Sequence, residues 1–184
     1  MRIITGTLKG RRFAAPKNVE IRPTSDRTKE SMFAVIEVRK HIAGSDVLDL
    51  FAGTGNLGFE AISRGAERVC AVEASPKAVE NLEKQASRFG IDKKVQSVCS
   101  TVEAWLRNPG QPYDLVFADP PYDYAHMVDL PEIIIHNGWL KEDGWFLLEH
   151  DKRHNFVDHP HCAFSKPYGR TIVTIFTRDP VSKT

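Results

Sequence analysis

An α/β fold on a mostly parallel, doubly wound sheet is predicted by three features of this 184-residue chain. From residue 46 onward, short apolar runs alternate with amphipathic segments of helical length, the pattern of strands joined by helical crossovers. The runs are continuously apolar, as in "DVLDLFA" and "YDLVFAD", which suits strands covered on both faces. A glycine-rich loop, "AGTGNLG", follows the first of them directly, where such sheets bind ligands.

The elements can be justified in order. The opening "RIITGTLKGRRFAAP" reads as short strands around a glycine turn, and "RPTSDRTKESMFAVIEVRK" as an extended lead-in and a helix. Ser25 or Asp26 serves as its N-cap, and Met32, Phe33, Val35 and Ile36 form its apolar face. Then come the strand "DVLDLFA", the helix "NLGFEAISRG" closed by Gly65, and the strand "RVCAVEA". "SPKAVENLEKQASRFG" is a helix with Ser75 as N-cap, Pro76 in the first turn and Gly90 as C-cap. "KVQSVC" is a third strand, "TVEAWLRN" a short helix, and "YDLVFAD" a fourth strand. "MVDLPEIIIHNG" is a helix with Pro131 near its start, "GWFLLEH" a fifth strand, and "CAFSKPYGRTIVTIFTR" two strands around Gly169. A boundary near residues 43–46 divides an N-terminal arm, residues 1–43, from a domain at 44–184.

Composition narrows the classes. An apolar fraction of 41% and a charged fraction of 27% are those of a soluble globular protein. No apolar stretch is long enough for a membrane span, and "MRIITGTLKGRR" has no apolar core of signal-peptide length. Cys70, Cys99 and Cys162 form no motif, so free thiols in a reducing cytoplasm are expected. Net charge is only +1, yet residues 1–30 hold eight cations (Arg2, Lys9, Arg11, Arg12, Lys17, Arg22, Arg27, Lys29) against Glu20, Asp26 and Glu30. A nucleic-acid footprint and a solvated terminus both account for that arm.

"DLFAGTGNLG" places Gly53, Gly55 and Gly58 in a G-x-G-x-x-G spacing straight after a strand. Glycines there allow a tight turn and close backbone approach to a ligand at a helix N-terminus. Glu73 ends the next strand, 18 residues after Gly55, where a carboxylate accepts hydrogen bonds from ribose hydroxyls. Together they predict a nucleoside site; a packing turn and a surface Glu are the plainer alternative. Dinucleotide enzymes and S-adenosylmethionine methyltransferases share this arrangement. Asp49, four residues before Gly53, would repel a pyrophosphate but suits the ammonium of an amino-acid moiety.

The fourth strand ends in Asp119-Pro120-Pro121-Tyr122. Proline cannot continue a central strand, so the chain stops there with a carboxylate and an aromatic ring. The exocyclic amine of a nucleobase is a poor nucleophile because its lone pair is delocalised. The Asp119 carboxylate and the Pro120 carbonyl can accept its two N–H bonds and favour a pyramidal nitrogen, with the prolines holding the carbonyl rigid. Tyr122 can stack on the base.

At these residues the chain resembles a known family, the bacterial methyltransferases that modify guanine N2 in small-subunit (16S) ribosomal RNA, the RsmD-like methylases. The likeness covers nearly the whole chain, through "MRIITGTLKGRRF", "RPTSDRTKESMF", "LDLFAGTGNLGFEAISRGA", "VEASPKAVENL" and "DLVFADPPY". "DPPY" and the glycine loop are shared with many amino-methyltransferases; "RPTSDRTKE" is more family-specific. The resemblance implies a class I methyltransferase fold, Rossmann-like, with seven strands and a reversed last strand, carrying a hairpin-and-helix arm. It implies S-adenosylmethionine as methyl donor, held by Asp49, Ala52, Gly53, Thr54, Gly55, Glu73, Ala74, Ser100, Thr101 and Asp119. It implies residues 119–122 (Asp119, Pro120, Pro121, Tyr122) at the target amine. The arm would cover the cofactor or grip RNA through Arg11, Arg12, Arg22, Thr24, Asp26 and Arg27. The implied partner is 16S ribosomal RNA in a small-subunit assembly particle, methylated at guanine 966 in the family's numbering, by a cytoplasmic monomer without metal or membrane. One departure stands out. Where many relatives carry an acid for the adenine amino group, this chain has Ser100 and Thr101, with Glu103 a turn further on.

Other readings keep different chemistry: an N6-adenine methyltransferase on DNA or RNA, a nicotinamide-dependent dehydrogenase, or a non-catalytic RNA-binding module. "HDKRHNFVDHPHC" fits no zinc spacing and reads as a polar loop. Trp105, Trp139 and Trp145 are expected in the core or at its edge. Glu149 ends the fifth strand and could approach the site, but it is not assigned to it. Lys166, Tyr168 and Arg170 suit either a substrate contact or a solvated turn.

Overall fold

The computed structural model describes residues 1–14, 26–108 and 110–181, excepting the side chain of Arg27. Its elements run α1 (Asp26–Arg39), β1 (Asp46–Leu50), α2 (Asn56–Ser63), β2 (Arg68–Glu73), α3 (Pro76–Phe89), β3 (Val95–Cys99), α4 (Val102–Leu106), β4 (Tyr113–Ala118), α5 (Leu130–His136), β5 (Leu140–His150), β6 (Cys162–Tyr168) and β7 (Thr171–Thr177). The seven strands lie in the order β3-β2-β1-β4-β5-β7-β6. The first five are mutually parallel, and β7 runs against both β5 and β6. The reversed last strand and the doubly wound order are as expected. Because β1 pairs with β2 on one side and β4 on the other, the connections diverge between β1 and β4 and leave a crevice at their C-terminal ends.

Strand alternation distributes the core over two faces. Val47, Leu115, Phe117, Leu147 and Val173 face one layer, with Phe13 of the arm, Phe33 of α1, Phe59 of α2 and Phe89 of α3. Leu48, Val116, Phe146 and Leu148 face the other, with Val102 of α4 and Ile134 of α5. The arm therefore shares a core with the sheet. Trp139 is fully buried, and its ring lies 6.0 Å from that of Trp105.

Local signals act as expected in α3. Ser75 accepts a hydrogen bond from the Ala78 N–H, Pro76 opens the helix, and Gly90 closes it at φ 70°. The arm forms a short antiparallel hairpin: a bridge joins Arg2 to Arg12, the Ile3 amide donates to the Arg11 carbonyl, and the Phe13 amide donates to the Met1 carbonyl. The amides between its two sides dock on α2: Ile4 and Thr5 donate to the Glu60 carboxylate, Thr7 to the Ser63 carbonyl, and Leu8 to Ser63 Oγ. Gly6 makes this docking possible, since a Cβ there would lie 1.7 Å from the Ser63 oxygen. Two expectations need correction. Strand β5 starts at Leu140 rather than 144, because Leu140 pairs with Tyr113 before a bulge. Helix α5 starts at Leu130, later than expected, and Pro131 occupies its first turn. The possible cap Ser25 lies outside the described residues.

Beneath the arm runs a buried ion network. Lys29 of α1 has a fully buried side chain, with Nζ 3.3 Å from Glu60 of α2, and donates to the Arg2 carbonyl and to Asn56 Oδ1. Arg64 pairs with Glu60 and Glu37, each at 2.9 Å, and lies over the Phe33 ring.

Candidate active site

A cavity of about 770 Å³ opens at the β1/β4 crevice. Its walls include Asp49, Ala52, Gly53, Thr54, Glu73, Ala74, Thr101 and residues 119–122. The structure thus gathers most of the residues singled out in the sequence. Gly55 and Ser100 stand behind the wall. Gly55 caps α2 at φ 80°, where a Cβ would press the Phe59 ring at 3.0 Å. Ser100 donates its amide to the Glu73 carbonyl and its hydroxyl to the Thr101 carbonyl.

The loop after β1 turns sharply through Phe51 (φ 60°), Gly53 (φ 54°) and Gly55. Phe51 is the one non-glycine at positive φ among the described residues, and its ring meets the edge of Tyr124 at 4.9 Å between centroids. The loop is bound to β2 at two points. Ala52 donates its amide to the Val72 carbonyl, and Gly53 donates to Glu73 Oε2 at 2.9 Å. The other Glu73 oxygen accepts from the Ser75 amide at 2.7 Å. Glu73 so fixes the loop and remains in the cavity wall, with lone pairs left for hydroxyl donors.

Asp49 sits beneath this loop and accepts the Gly58 amide at 2.9 Å. Gly58 is required by that approach, since a Cβ would lie 3.0 Å from Val69 and 3.1 Å from the carboxylate. Burial pushes Asp49 up to about 7, the nearby carboxylates Asp119 and Glu73 add to this, and the Gly58 hydrogen bond opposes it. A cation placed in the cavity would relieve that cost.

At the far end of the wall, Thr101 caps α4, accepting from the Ala104 amide. Glu103 lines the cavity there and takes the Tyr124 hydroxyl. Burial raises Glu103, but hydrogen bonds, among them those from Tyr124 and Thr101, leave it below its usual value. A carboxylate therefore does stand at this end, supplied from the first helical turn.

Residues 119–122 project from the end of β4. Tyr122 is held twice: its hydroxyl bonds Thr171 Oγ1 at 2.9 Å, and its carbonyl accepts from Arg153 Nη2 at 2.8 Å. The Tyr124 amide donates to the Pro121 carbonyl and tightens the turn. Thr28, Glu149, Tyr168, Arg170 and Thr171 complete this end. Tyr168 and Arg170 are thus cavity residues. Thr28, Phe51, Tyr124 and Thr171 had no sequence signal, because only the fold brings them here.

The arm residues fare differently. Arg11 and Arg12 are exposed on the α3 side, with the Arg11 guanidinium 5.6 Å from the Phe89 ring centroid and the Arg12 carbonyl accepting from Arg88. Asp26 pairs with Arg2 at 2.8 Å. Arg22 and Thr24 lie outside the described residues, as does the Arg27 side chain. In the His-rich loop, His159 and in α5 His136 both contact Glu132, at 3.1 and 3.0 Å.

A doubly wound sheet with a reversed last strand, a glycine loop at its switch point and an acid ending β2 beside that loop define the class I S-adenosylmethionine-dependent methyltransferase fold. The solved structure of the Escherichia coli protein yhhF has this shape, with a TM-score of 0.85 and 27% identity over 98% of this chain and 99% of that one. Within that class, the chain belongs to the family of ribosomal RNA small subunit methyltransferase D. The family model described as conserved hypothetical protein 95 matches residues 1–177. Ribosomal RNA small subunit methyltransferase D of Escherichia coli K12 is 31% identical over 149 residues, 81% of this chain and 74% of that one. The Bacillus subtilis protein YlbH is 36% identical over 157 residues, 83% of each chain.

Proposed function

We propose that this protein transfers a methyl group from S-adenosylmethionine to the exocyclic N2 amine of a guanine in 16S ribosomal RNA. The observation that carries the reading is the twice-anchored Asp119-Pro120-Pro121-Tyr122 segment, set beside the glycine loop in one cavity. The names of the relatives support ribosomal RNA as substrate.

The cavity suits this cofactor. Asp49, pushed up to about 7 by burial, gains from an ammonium group, and Glu73 can accept ribose hydroxyls. When bound, S-adenosylmethionine supplies a methyl on a sulfonium, and the C–S electron pair stays with sulfur on transfer. The chain's own work lies at the amine. Asp119 and the Pro120 carbonyl accept the two N–H bonds and turn the lone pair toward the methyl carbon. The nitrogen becomes acidic only as its new bond to carbon forms, so Asp119 takes the departing proton late. Tyr122, fixed by Thr171 and Arg153, sets the plane of the base. Residues 1–43 act as a cover and RNA grip: Thr28 of α1 reaches the cavity, and Arg11 and Arg12 are offered to phosphates. The working form is a cytoplasmic monomer acting on a small-subunit particle, without metal.

The decisive measurement is a nucleotide map of ribosomal RNA from cells with and without the gene, repeated with Asp119→Ala. One N2-methylguanine, 966 in the family's numbering, should be lost in both deficient strains. Methylation found only in DNA, or only on adenine, would overturn the reading.

A further inference from the structure

Strand register brings a second carboxylate beside the first. In the parallel β4–β5 pair, Ala118 is opposite Leu148, so Asp119 and Glu149 follow as neighbours on adjacent strands, which run about 5 Å apart. Alternation turns both to the same face. Phe117 and Leu147, two residues earlier, belong to the layer of α1 and α2, whereas Ala118 and Leu148 belong to the opposite one. Glu149 is buried, yet both carboxylates line the cavity, together with Tyr122 and Thr171. Amine binding and proton removal call on Asp119 alone, which leaves the neighbouring edge of the base to Glu149.

We infer that Glu149 selects guanine by accepting its N1–H while Asp119 holds the adjacent N2 amine. This rests on the reading of Asp119 as the amine acceptor. Three nucleobases carry an exocyclic amine. In adenine and cytosine the ring nitrogen beside the Watson–Crick amine, N1 or N3, is a lone-pair acceptor. In guanine alone that neighbour, N1, carries a hydrogen. Two carboxylates side by side therefore match the guanine edge, donor against acceptor at both places. Adenine or cytosine would set a lone pair against the Glu149 oxygen, acceptor against acceptor. Loss of such a pairing costs about 10- to 100-fold in selectivity. The same contact draws the amine toward Asp119, so Glu149 contributes to binding and to choice of base, while proton removal remains with Asp119.

The test uses ribosomal RNA fragments carrying the mapped target as guanine or as 2-aminopurine, which keeps the N2 amine but has a lone pair at N1. Wild-type protein should methylate guanine at least about 10-fold faster in kcat/KM than 2-aminopurine. Glu149→Met, which removes the acceptor, should lose most of its rate on guanine and little on 2-aminopurine, with unchanged S-adenosylhomocysteine affinity and melting temperature. Equal wild-type rates on both bases would overturn the inference without any variant. So would a Glu149→Met protein that keeps the guanine preference, or loses both activities in proportion. In each of these cases guanine is still methylated and the proposed function stands; a wild-type protein that methylates no guanine sinks both.

Discussion

Asp49 carries a pH signature that can be worked out from its surroundings. Its carboxyl is raised to about 7 in the fold, chiefly by burial, against an ordinary value of 3.8. Between those values the folded protein holds a proton that the unfolded chain has released. The stability from this group is thus complete below 3.8 and declines as pH rises through about 7. Ligand binding runs the other way. An ammonium group favours the ionised carboxylate, so binding expels the proton, and S-adenosylhomocysteine affinity should climb up to tenfold per pH unit below 7 before levelling. Calorimetry from pH 5 to 7.5 checks this slope, and Asp49→Asn should flatten it. The same residue shows what the sequence could convey. Its place four residues before Gly53 marked a cation site. Its raised pKa could not be read there, since it depends first on complete burial beneath the folded loop and then on Asp119 and Glu73 arriving from other strands.

Among the elements, α2 is the junction on which arm, α1 and glycine loop meet. Glu60 is the hub, accepting from Lys29, Arg64 and the amides of Ile4 and Thr5 with a fully buried side chain. Replacing Glu60 by Ala strands a buried Lys29, which should cost about 3–5 kcal/mol. Breaking the exposed Arg2–Asp26 pair should cost under about 1 kcal/mol. Urea denaturation of Glu60→Ala and Asp26→Ala compares the two directly; similar midpoints would refute the ranking. A second junction supports the cavity. The loop after β5 reaches back through Arg153, which bonds the Tyr122 carbonyl and pairs with Asp151. Arg153→Met should lower kcat about 10-fold while S-adenosylhomocysteine affinity and melting temperature hold, since it alters only the aim of residues 119–122. These junctions explain what the sequence disclosed of the elements. The caps of α3 were legible because Ser75, Pro76 and Gly90 act within a turn of themselves. The arm's hairpin was legible as well, through residues 1–3 paired with 10–13, but its docking was not, because the amides at its turn bond Glu60 and Ser63, more than 50 residues away. Periodicity cannot report such a partner, nor could it report that β5 begins with Leu140 opposite Tyr113.

At the scale of the whole molecule, net charge of +1 leaves little general attraction for RNA, so cationic patches must supply it. Two are distinguishable by position. Arg170 and Arg153 stand at the cavity or touch its wall, whereas Arg11, Arg12 and Arg88 cluster on the arm and α3. Cations of the second group can bind phosphates remote from the reacting base, and such pairing persists unchanged from ground state to transition state. Binding of that kind affects KM and leaves kcat alone. Reversing Arg11 and Arg12 to Glu should therefore raise KM for RNA and spare turnover at saturation, the opposite split from Arg153→Met. Every arginine–phosphate pair removed should also reduce the slope of log affinity against log salt by about 0.7–0.9. Titration of the double variant at several salt concentrations reads that slope, and an unchanged slope would assign the two arginines to packing against Phe89 and α3 rather than to RNA.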